Sequence, residues 1–217
     1  MIGDGFTMIL YHPHIIRAFH ILQVSNKLAQ VMEFAVHGTL SELVCSIGAF
    51  LEPGAWRMFR ELFSGLSYMH GRSIAHRDLK LENILLNHRW VPKLADFSFS
   101  VYYDEASPCR NVCGSVPYFA PELLAHEPYN PLLSDVWAVA VCLYIMTNDT
   151  FPFPLGDDKA QLEAERARAW QFRPRTESTY TAAYKALMRR MLEPEVERRI
   201  RTEEIEDHEW ILTEQVG

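Results

Sequence analysis

The sequence has few cysteines, no excess of basic residues and no long hydrophobic run. Four cysteines in 217 residues, without a C-x-x-C pair, favour a reducing compartment over a disulfide-bonded secreted protein. A formal net charge of −7 argues against a surface that binds phosphate backbones. The longest apolar run, Val136–Met146, has about half of the roughly 20 residues that cross a bilayer. We therefore expect a cytoplasmic protein without a nucleic acid or membrane partner.

Glycine and lysine are scarce in the early part of the sequence. Gly3 and Gly5 do not complete the G-x-G-x-x-G pattern of a phosphate-binding loop, and no strand precedes them. We expect these glycines to form a flexible start. The first lysine is Lys27 and the first glutamate is Glu33. The early segment therefore contains no lysine that could bind a nucleotide phosphate.

The hydrophobic pattern predicts strands early and helices late. Two apolar runs, 14–19 and 28–34, flank the polar turn at 25–27 and predict a hairpin. Helical spacing begins after Gly38 and is strongest over 53–70. Further on we expect strands over 74–76, 84–86 and 91–94, a long loop over 97–122, and helices over 134–146, 158–170, 179–192 and 202–210. This order predicts an α+β protein.

One stretch carries the residues needed for phosphoryl transfer. It reads His76-Arg77-Asp78-Leu79-Lys80-Leu81-Glu82-Asn83 and is followed by Asp96-Phe97-Ser98 and Ala120-Pro121-Glu122. Phosphoryl transfer needs a carboxylate that orients the attacking hydroxyl and accepts its proton, and Asp78 suits this role. Lys80 points to the same side of an extended segment and can contact the phosphate as a point charge. Asn83 and Asp96 offer the hard oxygen ligands that Mg²⁺ prefers beside substrate phosphates.

The order and intervals of these three motifs resemble those of the eukaryotic protein kinases, whose patterns are H-R-D-x-x-x-x-N, D-F-G and A-P-E. The resemblance runs from about His12 to Trp210. It implies a protein-kinase-like, two-lobed α+β fold with a truncated small lobe and a mainly helical large lobe. We expect a small-lobe remnant and hinge over 1–35, the large lobe over 36–212 and a tail over 213–217.

The resemblance also implies an ATP site. Met32 resembles the gatekeeper residue, and Leu85 resembles the floor of the adenine pocket. Glu33 to Ala35 resemble the hinge whose backbone groups hydrogen-bond adenine. ATP and Mg²⁺ are the expected cofactors, with Asp78 as the base, Lys80 as the phosphate contact, and Asn83 and Asp96 as the metal ligands.

Two further pairs of residues resemble structural supports of the family. Asp135 and Trp137 resemble the start of the buried helix that anchors the catalytic loop. Glu122 and Arg199 resemble the buried ion pair under the substrate-binding loop. Ser115 is expected in the loop that contacts the substrate next to its acceptor hydroxyl.

The resemblance extends to one branch of the family. A lysine two residues after the catalytic aspartate is the pattern of serine/threonine kinases rather than tyrosine kinases. The segments 113–115, 143–146 and 191–199 resemble the testis-specific serine/threonine kinases, a branch near the calmodulin-dependent and AMP-activated groups. The implied partner is a protein substrate with a serine or threonine acceptor, and we expect a monomer.

The sequence departs from the family at its start. The Gly-rich loop, the strand lysine and the helix glutamate that pairs with it have no counterpart, and Gly3 falls near the expected glutamate. Two hypotheses remain open. The sequence is a fragment of a longer kinase, or it is a catalytically impaired pseudokinase that acts as an interaction scaffold. The joint presence of Asp78, Lys80, Asn83 and Asp96 favours the first.

Two more departures lie in the long loop. Ser98 replaces the glycine of D-F-G, which either biases the loop between conformations or is tolerated without consequence. Asn111 stands where related kinases carry a threonine, so that position is not phosphorylated. Asp104 and Glu105 either substitute as fixed negative charges or form a solvated loop tip, and Ser107 is the other candidate for modification.

Overall fold

The strands of the described chain all lie before residue 103, and regular structure beyond that point is helical. The structure, a computed structural model, describes residues 3–25 and 27–213. Its helices are α1 Gly3–Ile9, α2 Leu40–Ile47, α3 Glu52–His70, α4 Pro121–Leu124, α5 Pro131–Asn148, α6 Asp158–Arg166, α7 Pro174–Glu177, α8 Ala182–Met191, α9 Thr202–Glu206 and α10 Glu209–Leu212. Its strands are β1 Ala18–Val24, β2 Lys27–Met32, β3 Ile74–Ala75, β4 Ile84–Leu86, β5 Pro92–Leu94 and β6 Val101–Tyr102. The predicted α+β class is confirmed.

The predicted hairpin is present, but its first strand is displaced. β1 and β2 pair antiparallel, and β1 starts at Ala18 instead of residue 14. The apolar residues Ile15 and Ile16 are buried beside β5 instead, where the Ile16 amide donates to the Leu94 carbonyl at 2.8 Å. The apolar run that predicted a strand therefore packs this segment against the core.

The expected flexible start is wrong, because Gly3–Ile9 forms helix α1. Phe6 and Thr7 are buried in this helix, and the ring of Phe6 lies 4.9 Å from that of Tyr102. Tertiary packing of an apolar face stabilises a helix that two glycines would disfavour on their own. The small-lobe part of the described chain thus consists of α1 and the β1–β2 sheet.

Helix α5 forms the centre of the core. Asn130 caps it by accepting the Leu132 amide at 2.9 Å, and Pro131 occupies its first turn, where a missing N–H costs nothing. Nearly every residue of Pro131–Asn148 is buried, which confirms the predicted all-round apolar helix. By length and composition it is the one described helix that could cross a membrane, and 94% of it lies inside the fold.

The long helix α3 packs against the segment that precedes β1. A Cβ on Gly65 would lie 2.9 Å from the carbonyl oxygen of His14, so only glycine permits this close approach. The contact places residues 14–16 between α3 and β5, next to the base of the Asp78 loop (residues 76–83).

The last predicted helices differ in their ends. The helix expected over 202–210 is divided into α9 and α10, because the His208 ring accepts the Trp210 amide at 3.2 Å and caps a new helix. Trp210 is thereby fully buried and donates its indole N–H to Glu52 at 2.8 Å. Only Thr213 of the predicted tail, 213–217, lies within the described residues.

Candidate active site

The Asp78 loop is held in place by a buried carboxylate from helix α5. Asp135 accepts the backbone amides of His76 and Arg77 at 2.7 and 2.8 Å, and the ring of His70 lies 3.1 Å from it. Arg77 has a φ of 66°, a left-handed conformation that a non-glycine residue adopts at a cost. Asp135 therefore fixes a strained loop, as the resemblance implies.

Asp78 is a buried carboxylate surrounded by three polar side chains. Its Oδ2 lies 2.9 Å from the Lys80 ammonium and accepts the Asn83 amide at 3.0 Å. Its Oδ1 accepts the Ser115 hydroxyl at 2.8 Å. Asn83 also donates to the Asp78 carbonyl at 2.8 Å. These contacts hold the Asp78 carboxylate in one orientation. A group that accepts a proton from a substrate needs such a fixed position.

Ser115 contributes more than the sequence indicates. Its hydroxyl accepts from Lys80 Nζ at 2.9 Å while it donates to Asp78, so it lies between the two predicted catalytic groups. The neighbouring Gly114 has a φ of 107°, and a Cβ there would lie 2.5 Å from the Arg77 carbonyl. Glycine thus allows the long loop (residues 97–122) to reach the Asp78 loop, and the Gly-Ser pair is the only sequence signal of this contact.

The His76 ring connects the Asp78 loop to the start of the long loop. One ring nitrogen donates to the Ala95 carbonyl at 3.0 Å, and the other accepts the Asp78 amide at 3.3 Å. Complete burial lowers the pKa of His76, so the ring is neutral near pH 7 and this donor–acceptor pattern persists. The ring also contacts that of Phe97, with centroids 5.2 Å apart.

A cavity of about 270 Å³ lies between the β1–β2 sheet and the Asp78 loop. Four predicted site residues line it, namely Met32, Asn83, Leu85 and Asp96. Its walls are mostly apolar with a few polar groups, as is usual for small-molecule sites, and its volume is close to the lower end of their range. The structure therefore brings the predicted gatekeeper, floor and metal ligands to one cavity.

The predicted hinge residues Glu33 and Ala35 do not line this cavity with their side chains. The Glu33 carboxylate turns away to Lys93, 2.6 Å from its ammonium. The Glu33 carbonyl and the Ala35 amide make no hydrogen bond to any residue within 3–25 or 27–213. Both backbone groups are thus available to a ligand, and their contact with adenine stays a prediction.

The donor atoms of Asn83 and Asp96 fit a magnesium ion. Asn83 donates its amide N–H groups to Asp78, and Asp96 uses Oδ1 to accept from Ser98. Each therefore keeps one side-chain oxygen without a partner in the described structure. No group of three His, Cys, Asp or Glu side chains in that part of the chain could hold a metal. Two protein oxygens suit Mg²⁺, which keeps waters and binds substrate phosphates.

The long loop is held by Arg77 through backbone carbonyls. Arg77 donates to the carbonyl of Phe99 at 2.7 Å and to that of Asn111 at 3.4 Å. Asp104 and Glu105 are exposed and do not contact Arg77, and Glu105 lies 3.7 Å from Arg201 instead, so the structure favours the second of the two alternatives. They form a solvated loop tip. The predicted loop over 97–122 is irregular except at strand β6, at a 3-10 turn over Val116–Tyr118, and at its end, where α4 begins at Pro121.

Glu122 and Arg199 form the expected buried ion pair. Two N–H groups of the guanidinium donate to the two carboxylate oxygens at 2.7 and 2.9 Å. Arg199 also donates to the Leu133 carbonyl at 3.0 Å and lies 5.0 Å from the centre of the Trp137 ring. The pair fastens the end of the long loop to the core.

Comparisons with known proteins identify the family. The model of the protein kinase domain matches residues 6–211. Testis-specific serine/threonine-protein kinase 2 of Mus musculus is 38% identical over 206 residues, covering 92% of this chain and 57% of that protein. Testis-specific serine/threonine-protein kinase 1 of Homo sapiens is 37% identical over 208 residues, covering 93% and 56%.

A relative from a plant matches as well. CBL-interacting serine/threonine-protein kinase 17 of Arabidopsis thaliana is 34% identical over 205 residues, covering 93% of this chain and 46% of that protein. The chain spans about half the length of these relatives. Because the domain match covers nearly all of it, the chain belongs to the protein kinase family, and the relatives named here are serine/threonine kinases.

Proposed function

We propose that the protein transfers the γ-phosphoryl group of ATP to serine or threonine hydroxyls of protein substrates. The observation that carries the proposal is the buried Asp78 carboxylate, oriented by Lys80, Ser115 and Asn83 at 2.8–3.0 Å. This cluster adjoins the cavity that Asn83 and Asp96 line. The names of the relatives agree with a serine/threonine acceptor.

Each residue has a definite part in the reaction. Asp78 accepts the proton of the substrate hydroxyl, whose oxygen forms a bond to the γ-phosphorus while the bond to the β-phosphate oxygen breaks and ADP leaves. Lys80 contacts the equatorial oxygens, where negative charge accumulates. A magnesium ion held by Asn83 and Asp96 would neutralise phosphate charge. Ser115 holds the Asp78 carboxylate and the Lys80 ammonium in position relative to each other.

The test is transfer of labelled γ-phosphate to a mixture of serine and threonine peptides. We expect activity in the wild-type protein and a loss of about 100-fold or more in Asp78→Asn, which keeps the shape of the side chain but removes the base. Asp104→Asn in the exposed loop tip is the control and should retain activity. Equal activity in Asp78→Asn and wild type would refute the role of Asp78.

One observation favours the scaffold alternative. Within the described residues, no lysine or arginine lines the cavity, so the triphosphate would lack the usual cationic contact on that side. If the cavity does not bind ATP, the same fold would present its large lobe to a protein partner. Binding of Mg²⁺-ATP separates the two functions.

We also propose that the protein is a cytoplasmic monomer. All four cysteines are free thiols, and the buried Cys142 has a pKa raised well above its usual value by desolvation. Unpaired thiols are usual in reducing compartments. Cell fractionation and the mass in solution test these two statements.

A further inference from the structure

Ser98, which replaces the glycine of the D-F-G pattern, is hydrogen-bonded to the predicted metal ligand Asp96. The Ser98 hydroxyl donates to Asp96 Oδ1 at 2.7 Å, and the Ser98 amide donates to the same oxygen at 3.3 Å. A glycine at this position would offer the amide alone. The hydroxyl contact is therefore a feature of this chain that the family pattern does not contain.

The backbone does not require glycine at this position. The described non-glycine residues with positive φ include Asp96, at 60°, but not Ser98. The serine is thus accommodated without left-handed strain, and its hydroxyl is free to act on Asp96. In this conformation Ser98 costs no backbone strain, so what the serine adds is its hydroxyl contact with Asp96.

Both donors of Ser98 engage the same carboxylate oxygen. Asp96 Oδ1 accepts two hydrogen bonds, whereas Oδ2 has no hydrogen-bond partner among the residues that the structure describes. Asp96 is exposed, so without the hydroxyl contact its carboxylate would rotate more freely about its side-chain bonds. The contact lowers the number of orientations that Oδ2 adopts.

We propose that Ser98 is a positioning residue for the divalent cation. By holding Oδ1, its hydroxyl leaves Oδ2 of Asp96 free of protein partners, and Asn83, which also keeps an oxygen free, lines the same cavity. Groups that orient a metal ligand from behind affect metal affinity by about 10-fold or more. The inference rests on the proposed function, because that function supplies the cation.

The test measures Mn²⁺ binding by the electron paramagnetic resonance signal of free Mn²⁺ titrated with the protein and ATP, relative to the same titration with ATP alone. We expect Ser98→Ala and Ser98→Gly to weaken Mn²⁺ binding about 10-fold. Ser98→Thr, which restores a hydroxyl, should bind within about twofold of wild type. The matched control is Ser107→Ala in the exposed tip of the same loop, which should bind as wild type does.

Two outcomes would overturn the proposal, and they differ in scope. Wild-type affinity in Ser98→Ala, together with a loss in Asp96→Asn, would show that the metal site exists but does not depend on Ser98. Wild-type protein that binds Mn²⁺ no better than Asp96→Asn would refute the metal site itself and with it that part of the proposed function. Thermal unfolding without Mn²⁺ verifies that every variant is folded.

Discussion

At the scale of single residues, Glu165 is a buried acidic side chain outside the active site whose pKa is raised. It is fully buried on α6, and its Oε1 accepts the Gln161 amide at 2.8 Å. Its Oε2 has no hydrogen-bond partner within the described chain. Burial, with a smaller contribution from the nearby Glu122 carboxylate, raises the pKa of Glu165 to about 8, while Arg199 opposes the shift. Glu165 is therefore protonated in the folded protein near pH 7.

This raised pKa gives the free energy of unfolding a predicted pH dependence. Folding favours the neutral form of Glu165. The contribution of this side chain to the free energy of unfolding is therefore fully present below pH 4.5, its ordinary pKa, and is lost as pH rises towards 8. Glu165→Gln keeps the shape and removes the titration. We expect wild type to lose about 1–3 kcal/mol relative to this variant between pH 5 and pH 8.

Urea unfolding at pH 5, 7 and 9 measures the difference. Glu163→Gln is the control, because Glu163 is exposed on the same helix. A Glu165→Gln variant whose stability follows that of wild type at all three pH values would show that Glu165 titrates normally.

At the scale of elements, the Glu122–Arg199 pair joins α4 to the segment before α9. Both side chains are buried and the contact is bidentate, so loss of one partner leaves a charge without compensation. We expect Arg199→Met to lower the free energy of unfolding by about 3–5 kcal/mol. Urea denaturation provides the measurement.

Two comparisons make this prediction specific. Arg198→Met changes an exposed neighbour that pairs with Glu195, and it should cost less than about 1 kcal/mol. The double variant Glu122→Gln/Arg199→Met should recover part of the loss, because it no longer buries an unpaired carboxylate. A double variant less stable than Arg199→Met would contradict this explanation.

The sequence predicts elements well where local pattern and packing agree. The spacing of apolar residues locates α3 and α5, whose buried faces coincide with that pattern. It misplaces the start of β1, because Ile15 and Ile16 pack beside β5, and it misses α1, because burial of Phe6 outweighs two glycines. These contacts join segments far apart in the sequence, and local pattern does not report them.

The candidate site also contains some contacts that the sequence predicts and others that it does not. Asp78, Lys80 and Asn83 lie within six consecutive residues, so their motif predicts their proximity. The bridging position of Ser115 depends on the path of a long irregular loop. The contact of Ser98 with Asp96 depends on one side-chain rotamer. Neither follows from spacing alone.

At the scale of the whole molecule, the cavity lies between two very different parts. Below it is the large lobe, with its buried helix α5 and fixed Asp78 loop. Above it is the β1–β2 sheet, which exposes apolar side chains including Leu22, Val24 and Val31. The side chains proposed for catalysis are already in contact with one another in the large lobe. The proposed function therefore depends on whether the cavity binds the nucleotide.

A measurement of Mg²⁺-ATP binding tests most directly whether the cavity binds the nucleotide. We predict that Mg²⁺-ATP at 100 times its Kd stabilises the protein by about 2.7 kcal/mol, which raises Tm by roughly 5–10 °C. ATP without Mg²⁺ should raise Tm less, and Asp96→Asn should reduce the difference between the two. An unchanged Tm at millimolar Mg²⁺-ATP, confirmed by the absence of binding heat in calorimetry, would contradict the kinase function and favour the scaffold.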